Sequence, residues 1–291
     1  MTVAVIVDSS SCITPEVAEA YHLRVVPLHL MWGKKEYADW VDMTPEEFYA
    51  RIKTEKVETW PTTSGSVQGE FLRAFEEWRG KVDGVVAVTL SPDTPSAGYR
   101  SAIMAKEMTE GIPIEIVDSH RTFVAEGLVA TAAAQAAYAG ASLEDVVKAA
   151  QSVIPKINIF FNVGSISYFL RLGRISEAEV EQKEDSHIIT IKENGKITPF
   201  ENYPTRGEAR RRLKELVKEK ARKETPLHAA VLHAAARKEA EEFKKWIESE
   251  YDCAELWIGE ASPVVAIHLS PDTSPLVRAY FNMSSGVIVC T

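Results

Sequence analysis

A repeated strand–loop–helix pattern in the first 125 residues constrains the fold more than any other feature of this sequence. Apolar runs at Val3–Val7, Gly84–Leu90 and Ile114–Val117 each end abruptly in a polar loop rich in hydroxyl groups, and a helical pattern follows each loop. Strands that alternate with helices predict a largely parallel, doubly wound sheet with helices on both faces. Ligands of such sheets bind outside the carboxyl ends of the strands, which is where these polar loops lie.

Local signals elsewhere in the first half of the chain support the pattern. Thr44 is followed three residues later by Glu47, the spacing of a capping box at the start of a helix. The tetrapeptide IVDS occurs twice, at Ile6–Ser9 and Ile116–Ser119. Aspartates at strand ends commonly accept hydrogen bonds from the backbone of the next turn, so a structural role for both aspartates is favoured over an acid–base pair. A phosphate-type anion at the first loop is the remaining alternative.

The second half of the chain changes character near Pro155. Asn194-Gly195 separates two alternating runs, Ile188–Lys192 and Lys196–Tyr203, and predicts a β-hairpin. The apolar run Val264–His268 is interpreted as a further strand. We therefore predict two α/β domains with a cleft between them. Residues 1–155 form the first, and residues 156–291 form the second, whose sheet is mixed or antiparallel.

Composition and charge argue against several classes of function. The net charge of −9 disfavours nucleic acid as a partner, because binding to its backbone needs clustered Lys and Arg. No apolar run approaches the roughly 20 residues that cross a bilayer, so stable membrane insertion is not expected. The N-terminus does not resemble a signal peptide. The three cysteines form neither a zinc spacing nor a disulfide framework, which favours the cytoplasm.

The search for catalytic motifs leaves two functional interpretations open. The sequence has no phosphate-binding loop of the Walker type, no nucleophile elbow and no HExxH pair. Ser64 and Ser66 keep a serine-dependent hydrolase or transferase in view, and the loops after Asp8 and Asp118 keep a module that binds a phosphorylated metabolite in view. His268, beside a polar loop, is either a donor to a carboxylate or a satisfied core histidine.

An ordered set of short segments resembles the DegV family over nearly the whole chain. The most specific signature of that family is similar to Pro61–Ser64 with Gly69–Phe71 behind it. The other matching segments are Val5–Ser11, Val25–Leu28, Pro45–Tyr49, Val117–Ser119, Gly173–Ser176, Asn194–Ile197 and Pro263–His268. Each match is short, and the specificity comes from their order along the chain.

The resemblance implies a protein that binds a long-chain fatty acid and is not itself an enzyme, with no cofactor and no metal. In that family the acyl chain lies in an apolar tunnel between the two domains, and neutral donors hold the carboxylate. Carried over to this sequence, the donors are Thr62, Thr63, Ser64, Ser96 (or Ser91) and His268.

The resemblance also implies a protein partner. A separate fatty-acid kinase phosphorylates the bound carboxyl group to an acyl phosphate for phospholipid synthesis. Arg174 and Arg206 resemble family arginines near the mouth of the site, where they would dock the kinase or steer the anion, and a surface salt bridge is the alternative for both. The missing phosphate-binding loop agrees with a partner that supplies the nucleotide.

Two loops depart from the family pattern. The stretch 91–99 is longer than the family loop and contains Pro92 and Pro95, and residues 269–275 replace a glycine-rich stretch. Glycine usually marks a close approach of the backbone to a ligand. These departures alter the expected contacts of the head group and leave the acyl chain length open.

Overall fold

The computed structural model describes residues 2–55, 59–63, 67–92, 98–163, 166, 169–170, 175–176, 186–192, 196–269 and 285–290, with only the main chain of 268–269 and 285–290. The strands are β1 (Val3–Asp8), β2 (Leu23–Val26), β3 (His29–Trp32), β4 (Lys35–Ala38), β5 (Thr62–Thr63), β6 (Gly84–Thr89), β7 (Ile114–Asp118), β8 (Ile157–Val163), β9 (Ser186–Ile191), β10 (Ile197–Tyr203), β11 (Leu227–His233), β12 (Cys253–Glu260) and β13 (Ser285–Cys290). The helices are α1 (Pro15–Ala20), α2 (Pro45–Ile52), α3 (Gln68–Trp78), α4 (Gly98–Met108), α5 (Val124–Tyr138), α6 (Leu143–Val153), α7 (Arg206–Lys220), α8 (Arg237–Glu250) and α9 (Pro263–Leu269).

The first sheet is fully parallel, with strand order β2-β1-β6-β7. Alternate residues of β1 face opposite layers. Val5 and Val7 pack with α5 and α6, whereas Ala4 and Ile6 pack with α3 and α4. The predicted doubly wound arrangement is therefore confirmed. The predicted capping box is also present, because Thr44 accepts from the Glu47 N–H and Glu47 accepts from the Thr44 N–H.

A small antiparallel sheet, β4-β3-β5, stands beside the first. The sequence between Val25 and Met31 has the composition of one continuous strand, yet the structure divides it into β2 and β3, which belong to different sheets. Pro27 lies between them and has no N–H to donate to a ladder. The next residue, Leu28, donates its N–H to Ser9 Oγ at 3.0 Å instead, which ties this turn to the loop after β1.

The second sheet is mixed, with strand order β10-β9-β8-β13-β11-β12. Only the β11–β12 pair is parallel among the strand pairs described for this sheet. The predicted hairpin is confirmed as β9 and β10. Strand β13 was not predicted, and the sequence pattern that suggests a strand at 277–282 lies outside the described residues.

One apolar core extends from the first sheet to the second. Helix α5 packs on β1 and β6 and also on β11. Close approach at two glycines allows this packing: a Cβ at Gly127 would lie 2.8 Å from the Trp257 ring, and a Cβ at Gly259 would collide with Val124. The architecture of two α/β domains is as predicted, and the division at residue 155 stays a prediction.

The run Val264–His268 is helical, so its interpretation as a strand is wrong. It belongs to α9, which begins at Pro263. A short run of apolar residues does not distinguish a buried strand from a buried helix by periodicity. The signal that favours the helix is Ser262-Pro263, a capping residue type followed by proline at the first helical position. None of the described helices combines the length and apolar character needed to cross a bilayer.

Candidate functional site

Helix α9 brings the second half of the chain against the small sheet of the first. It contacts β3, β5 and the 3₁₀ turn Ser9–Ser11 that follows β1. The main chain of His268 therefore belongs to a helix that packs against the strand of Thr62 and Thr63. Segments about 200 residues apart in the sequence meet here, as the predicted carboxylate site requires.

The two threonines of β5 have accessible side chains. Thr62 pairs with Met31 and Thr63 pairs with Leu30 in the antiparallel ladder, and both threonines are exposed. Hydroxyl groups held on a strand and open to solvent can donate to an anion without losing an internal partner. Ser64, the next predicted donor, lies outside the described residues.

Ser91 is fully buried directly after β6. Its N–H donates to the carbonyl oxygen of Arg121 at 3.2 Å, which joins the loop after β6 to the loop after β7. Ser96, the alternative donor, lies outside the described residues. The structure therefore places Ser91 at the carboxyl edge of the parallel sheet, as predicted, but with a buried side chain.

Four hydrogen bonds hold the segment that leads into α9. Three partners come from the first half of the chain and one, His233, comes from the second. The bonds are Tyr49 Oη to Ala261 O (2.9 Å), Val264 N to Asp39 Oδ1 (3.3 Å), Ser262 Oγ to Ser9 O (3.5 Å) and Ala261 N to His233 O (2.8 Å). These contacts fix the start of the helix that carries His268.

Asp39 is a buried carboxyl at this junction. It is 1% exposed, and burial raises its pKa to about 7 against the opposing effect of hydrogen bonds from Ser9, Ser262 and the Val264 N–H. The nearby Asp8 raises it further. Asp39 therefore changes its charge near neutral pH, at the contact that holds α9.

Asp8 and Glu126 form a buried carboxyl pair that is joined through Ser10. The Ser10 Oγ lies 2.6 Å from Asp8 Oδ1 and 2.9 Å from Glu126 Oε2. One hydroxyl has a single proton to donate, so the second contact needs a proton on a carboxyl group. Burial raises the pKa of Glu126 well above its usual range and also raises the pKa of Asp8. The pair therefore holds a proton and carries at most one negative charge.

The strand-end aspartates have the structural role that was favoured. Asp8 accepts the Ser10 N–H at 2.9 Å, and Asp118 accepts the His120 N–H at 2.7 Å. In each IVDS segment the aspartate carboxylate thus accepts a hydrogen bond from a main-chain N–H of the turn that follows. Among the described residues, no group of three or more His, Cys, Asp or Glu side chains is arranged to hold a metal ion.

Arg206 is the first residue of α7 and forms an ion pair. Its Nη2 lies 3.7 Å from Glu239 of α8, and Arg210 lies 3.9 Å from the same carboxylate. The salt bridge that was the alternative for Arg206 is therefore present. Arg174, the other predicted arginine, lies outside the described residues.

A model of the DegV family, described as an uncharacterised protein family, matches residues 2–277 of this chain. The chain belongs to the DegV family. The protein DegV of Bacillus subtilis is 30% identical over 275 residues, which cover 92% of this chain and 96% of that protein.

Solved structures of the DegV family share the whole fold. The crystal structure of Bacillus subtilis DegV, a fatty acid binding protein, has a TM-score of 0.85 and 28% identity, and the match covers 100% of this chain and 99% of that one. A DegV family protein from Eubacterium eligens loaded with heptadecanoic acid has a TM-score of 0.77 and 17% identity, over 99% of each chain.

Sequence reasoning missed several residues that build this DegV fold around the site. Asp39, Tyr49 and Arg121 anchor α9 or the loops after the strands. No motif contains Asp39 or Arg121, and the matching segment Pro45–Tyr49 gave Tyr49 no role. Their partners are main-chain atoms of distant segments, which only the folded chain brings into reach. Glu126 carried one signal, since a charged residue in an Ala-rich apolar helix must have a buried polar partner.

Proposed function

We propose that this chain binds a long-chain fatty acid in an apolar tunnel between its two domains. The observation that carries the proposal is the full-length match to Bacillus subtilis DegV, a fatty acid binding protein, at 28% identity. The proposal gives the protein no catalytic residue of its own.

The carboxylate would be held by neutral donors from both halves of the chain. Thr62 and Thr63 of β5 would be two of these donors, Ser64 next to them in the sequence would be a third, and His268 of α9 would be a fourth. The contact between α9 and β5 supports this assignment. Ser96 or Ser91 contributes from the loop after β6. Ser91 would need to turn its buried hydroxyl towards the ligand, so Ser96 is the stronger candidate.

The acyl tail would supply most of the affinity. Burial of each methylene contributes about 0.8 kcal/mol before the costs of binding are subtracted. The large apolar core shared by the two sheets provides surroundings of that kind. The Ser10 bridge requires a proton on one of the carboxyl groups of Asp8 and Glu126, so this pair opposes an anionic head group less than two ionised carboxylates would.

The bound acid would be presented to a separate fatty-acid kinase in the cytoplasm. That partner would supply the nucleotide and form the acyl phosphate used in phospholipid synthesis. Arg174 and Arg206 are proposed to dock the kinase or steer the anion. For Arg206 this requires exchange of the Glu239 ion pair for a new partner.

Organic extraction of the purified protein, followed by mass spectrometry, tests the binding proposal. We expect a long-chain fatty acid in near-stoichiometric amount. A ligand-free extract from protein that also takes up no added fatty acid would refute the proposal and favour a serine enzyme or a metabolite-binding module.

Thr62→Val tests the head-group assignment, because valine keeps the shape of threonine and removes its hydroxyl. We expect the affinity for a fatty acid to fall by about tenfold to 100-fold, the worth of one hydrogen bond to a charged group. Titration calorimetry with a soluble fatty acid measures the change. Thr198→Val on β10 is the matched control and should bind as wild type does. Equal affinity of all three proteins would remove Thr62 from the site.

A further inference from the structure

Arg121 is a buried arginine in the loop after β7. Its side chain is 2% exposed and is among the largest fully buried side chains of the described residues. The guanidinium donates to three main-chain carbonyls: Nη2 to Ile154 O at 2.8 Å, and Nη1 to His120 O at 3.2 Å and Lys192 O at 3.3 Å. A cation removed from water needs such partners, because an unsatisfied buried charge is very unfavourable.

These carbonyls belong to different parts of the molecule. Ile154 is the C-cap of α6, where the partial negative charge of the helix favours a cation, and it opens the connection to the second sheet. Lys192 directly follows β9 of that sheet. One side chain of the first domain therefore joins the connection and the second domain.

The main chain of Arg121 holds the loop after β6. Its carbonyl oxygen accepts the Ser91 N–H at 3.2 Å. The Ser119 hydroxyl donates to the same oxygen and accepts the Arg121 N–H, both at 3.2 Å. Ser119 in turn donates its N–H to Thr89 O at 3.1 Å. The loops after β6 and β7 are thus bonded side by side, and the Arg121 guanidinium bonds them to the second sheet.

We infer that Arg121 is a positioning residue for the carboxylate site. By fixing the main chain at Ser91 against the second domain, Arg121 sets how strongly the protein prefers a free carboxylate to an uncharged head group. Its guanidinium is bonded to main-chain carbonyls, so it acts through the position of Ser91. The inference rests on the proposed function, in which Ser91 is a candidate donor to the carboxylate.

The test compares dissociation constants for heptadecanoic acid and its methyl ester in wild type, Arg121→Gln and Arg121→Lys. We expect the preference for the acid to fall by about tenfold in Arg121→Gln, which corresponds to about 1.4 kcal/mol. Arg121→Lys should restore part of the preference, because an ammonium group can still donate to these carbonyls. A residue with only a packing role would weaken the binding of acid and ester equally.

Arg212→Gln is the matched control. Arg212 is a partly exposed arginine, and it bonds the carboxylates of Glu201 and Glu219 at 2.8 Å and 2.5 Å. Its replacement should lower stability and leave the acid-to-ester preference unchanged. If Arg121→Gln does not fold, Ser119→Ala takes its place. This change removes the Ser119 hydroxyl that bonds the Arg121 main chain and keeps the guanidinium, and it should also reduce the preference for the acid over the ester.

The outcomes separate the two proposals. An unchanged preference in folded Arg121→Gln, or in Ser119→Ala if that variant replaces it, overturns the role of Arg121 and leaves fatty acid binding standing. Wild-type protein that binds neither acid nor ester removes the proposed function and the inference with it. The inference is supported if the preference for the acid over the ester falls in Arg121→Gln or Ser119→Ala and is unchanged in Arg212→Gln.

Discussion

Replacement of Asp39 by asparagine should remove a pH dependence of stability that the fold imposes on this carboxyl group. Burial raises the Asp39 pKa from 3.8 to about 7 in the folded protein, while the unfolded chain has the ordinary value. The folded state therefore binds the proton more tightly. This contribution to stability is fully present below about pH 4 and is lost as the pH rises through about 7.

The size of the effect follows from the shift. A difference of about three pKa units corresponds to about 4 kcal/mol over the whole titration, at about 1.4 kcal/mol per unit. Between about pH 5 and about pH 9, about 3 kcal/mol of it should be lost. An asparagine at this position can keep the acceptor for the Val264 N–H and cannot ionise. The free energy of unfolding of Asp39→Asn, measured relative to that of wild type, should therefore rise by about 3 kcal/mol from about pH 5 to about pH 9.

Urea unfolding followed by tryptophan fluorescence at a series of pH values measures this difference. Asp8 and Glu126 are present in both proteins, so their own titrations largely cancel. Asp83→Asn is the matched control, because Asp83 is fully exposed and the Thr2 N–H lowers its pKa. The loss of stability for that group occurs below pH 4, outside the range of the assay. If the stabilities of wild type and Asp39→Asn differ by the same amount at both ends of the range, the reasoning about the Asp39 junction is wrong.

Two further predictions concern the second domain. His233 is 1% exposed, and burial lowers its pKa to about 4. Wild type should therefore lose up to about 3 kcal/mol of stability as the pH falls from about 6.5 towards 4, whereas His233→Leu should not. Thermal unfolding of both proteins across this pH range measures the difference. Gly259→Ala should destabilise the fold by about 1–3 kcal/mol or more, because the added Cβ collides with Val124 and the Cys12 carbonyl oxygen. The control is Gly207→Ala in α7, whose added Cβ meets nothing closer than 3.9 Å and which should be neutral or stabilising. The denaturant midpoints of both variants, compared with that of wild type, test the prediction.

Local signals in the sequence determined much of the architecture. The apolar runs before the polar loops predicted the parallel sheet, Thr44 and Glu47 predicted a capping box, and Asn194-Gly195 predicted the hairpin of β9 and β10. The capping box and the hairpin depend on residues that are near one another in the chain, and the parallel sheet was inferred from local strand and helix signals that alternate along it. Backbone conformation and hydrogen bonding in such segments are set over a few residues, so the sequence is sufficient to predict them.

Tertiary structure decided the features that depend on distant partners. The apolar run in α9 does not by its periodicity distinguish a strand from a helix, and only the folded chain shows that this helix packs on β3 and β5. The pKa of Asp39 and the bonds of Arg121 depend on burial by segments that are far away in the sequence. Desolvation and long-range hydrogen bonds arise only when those segments meet, so no local pattern of residues encodes them.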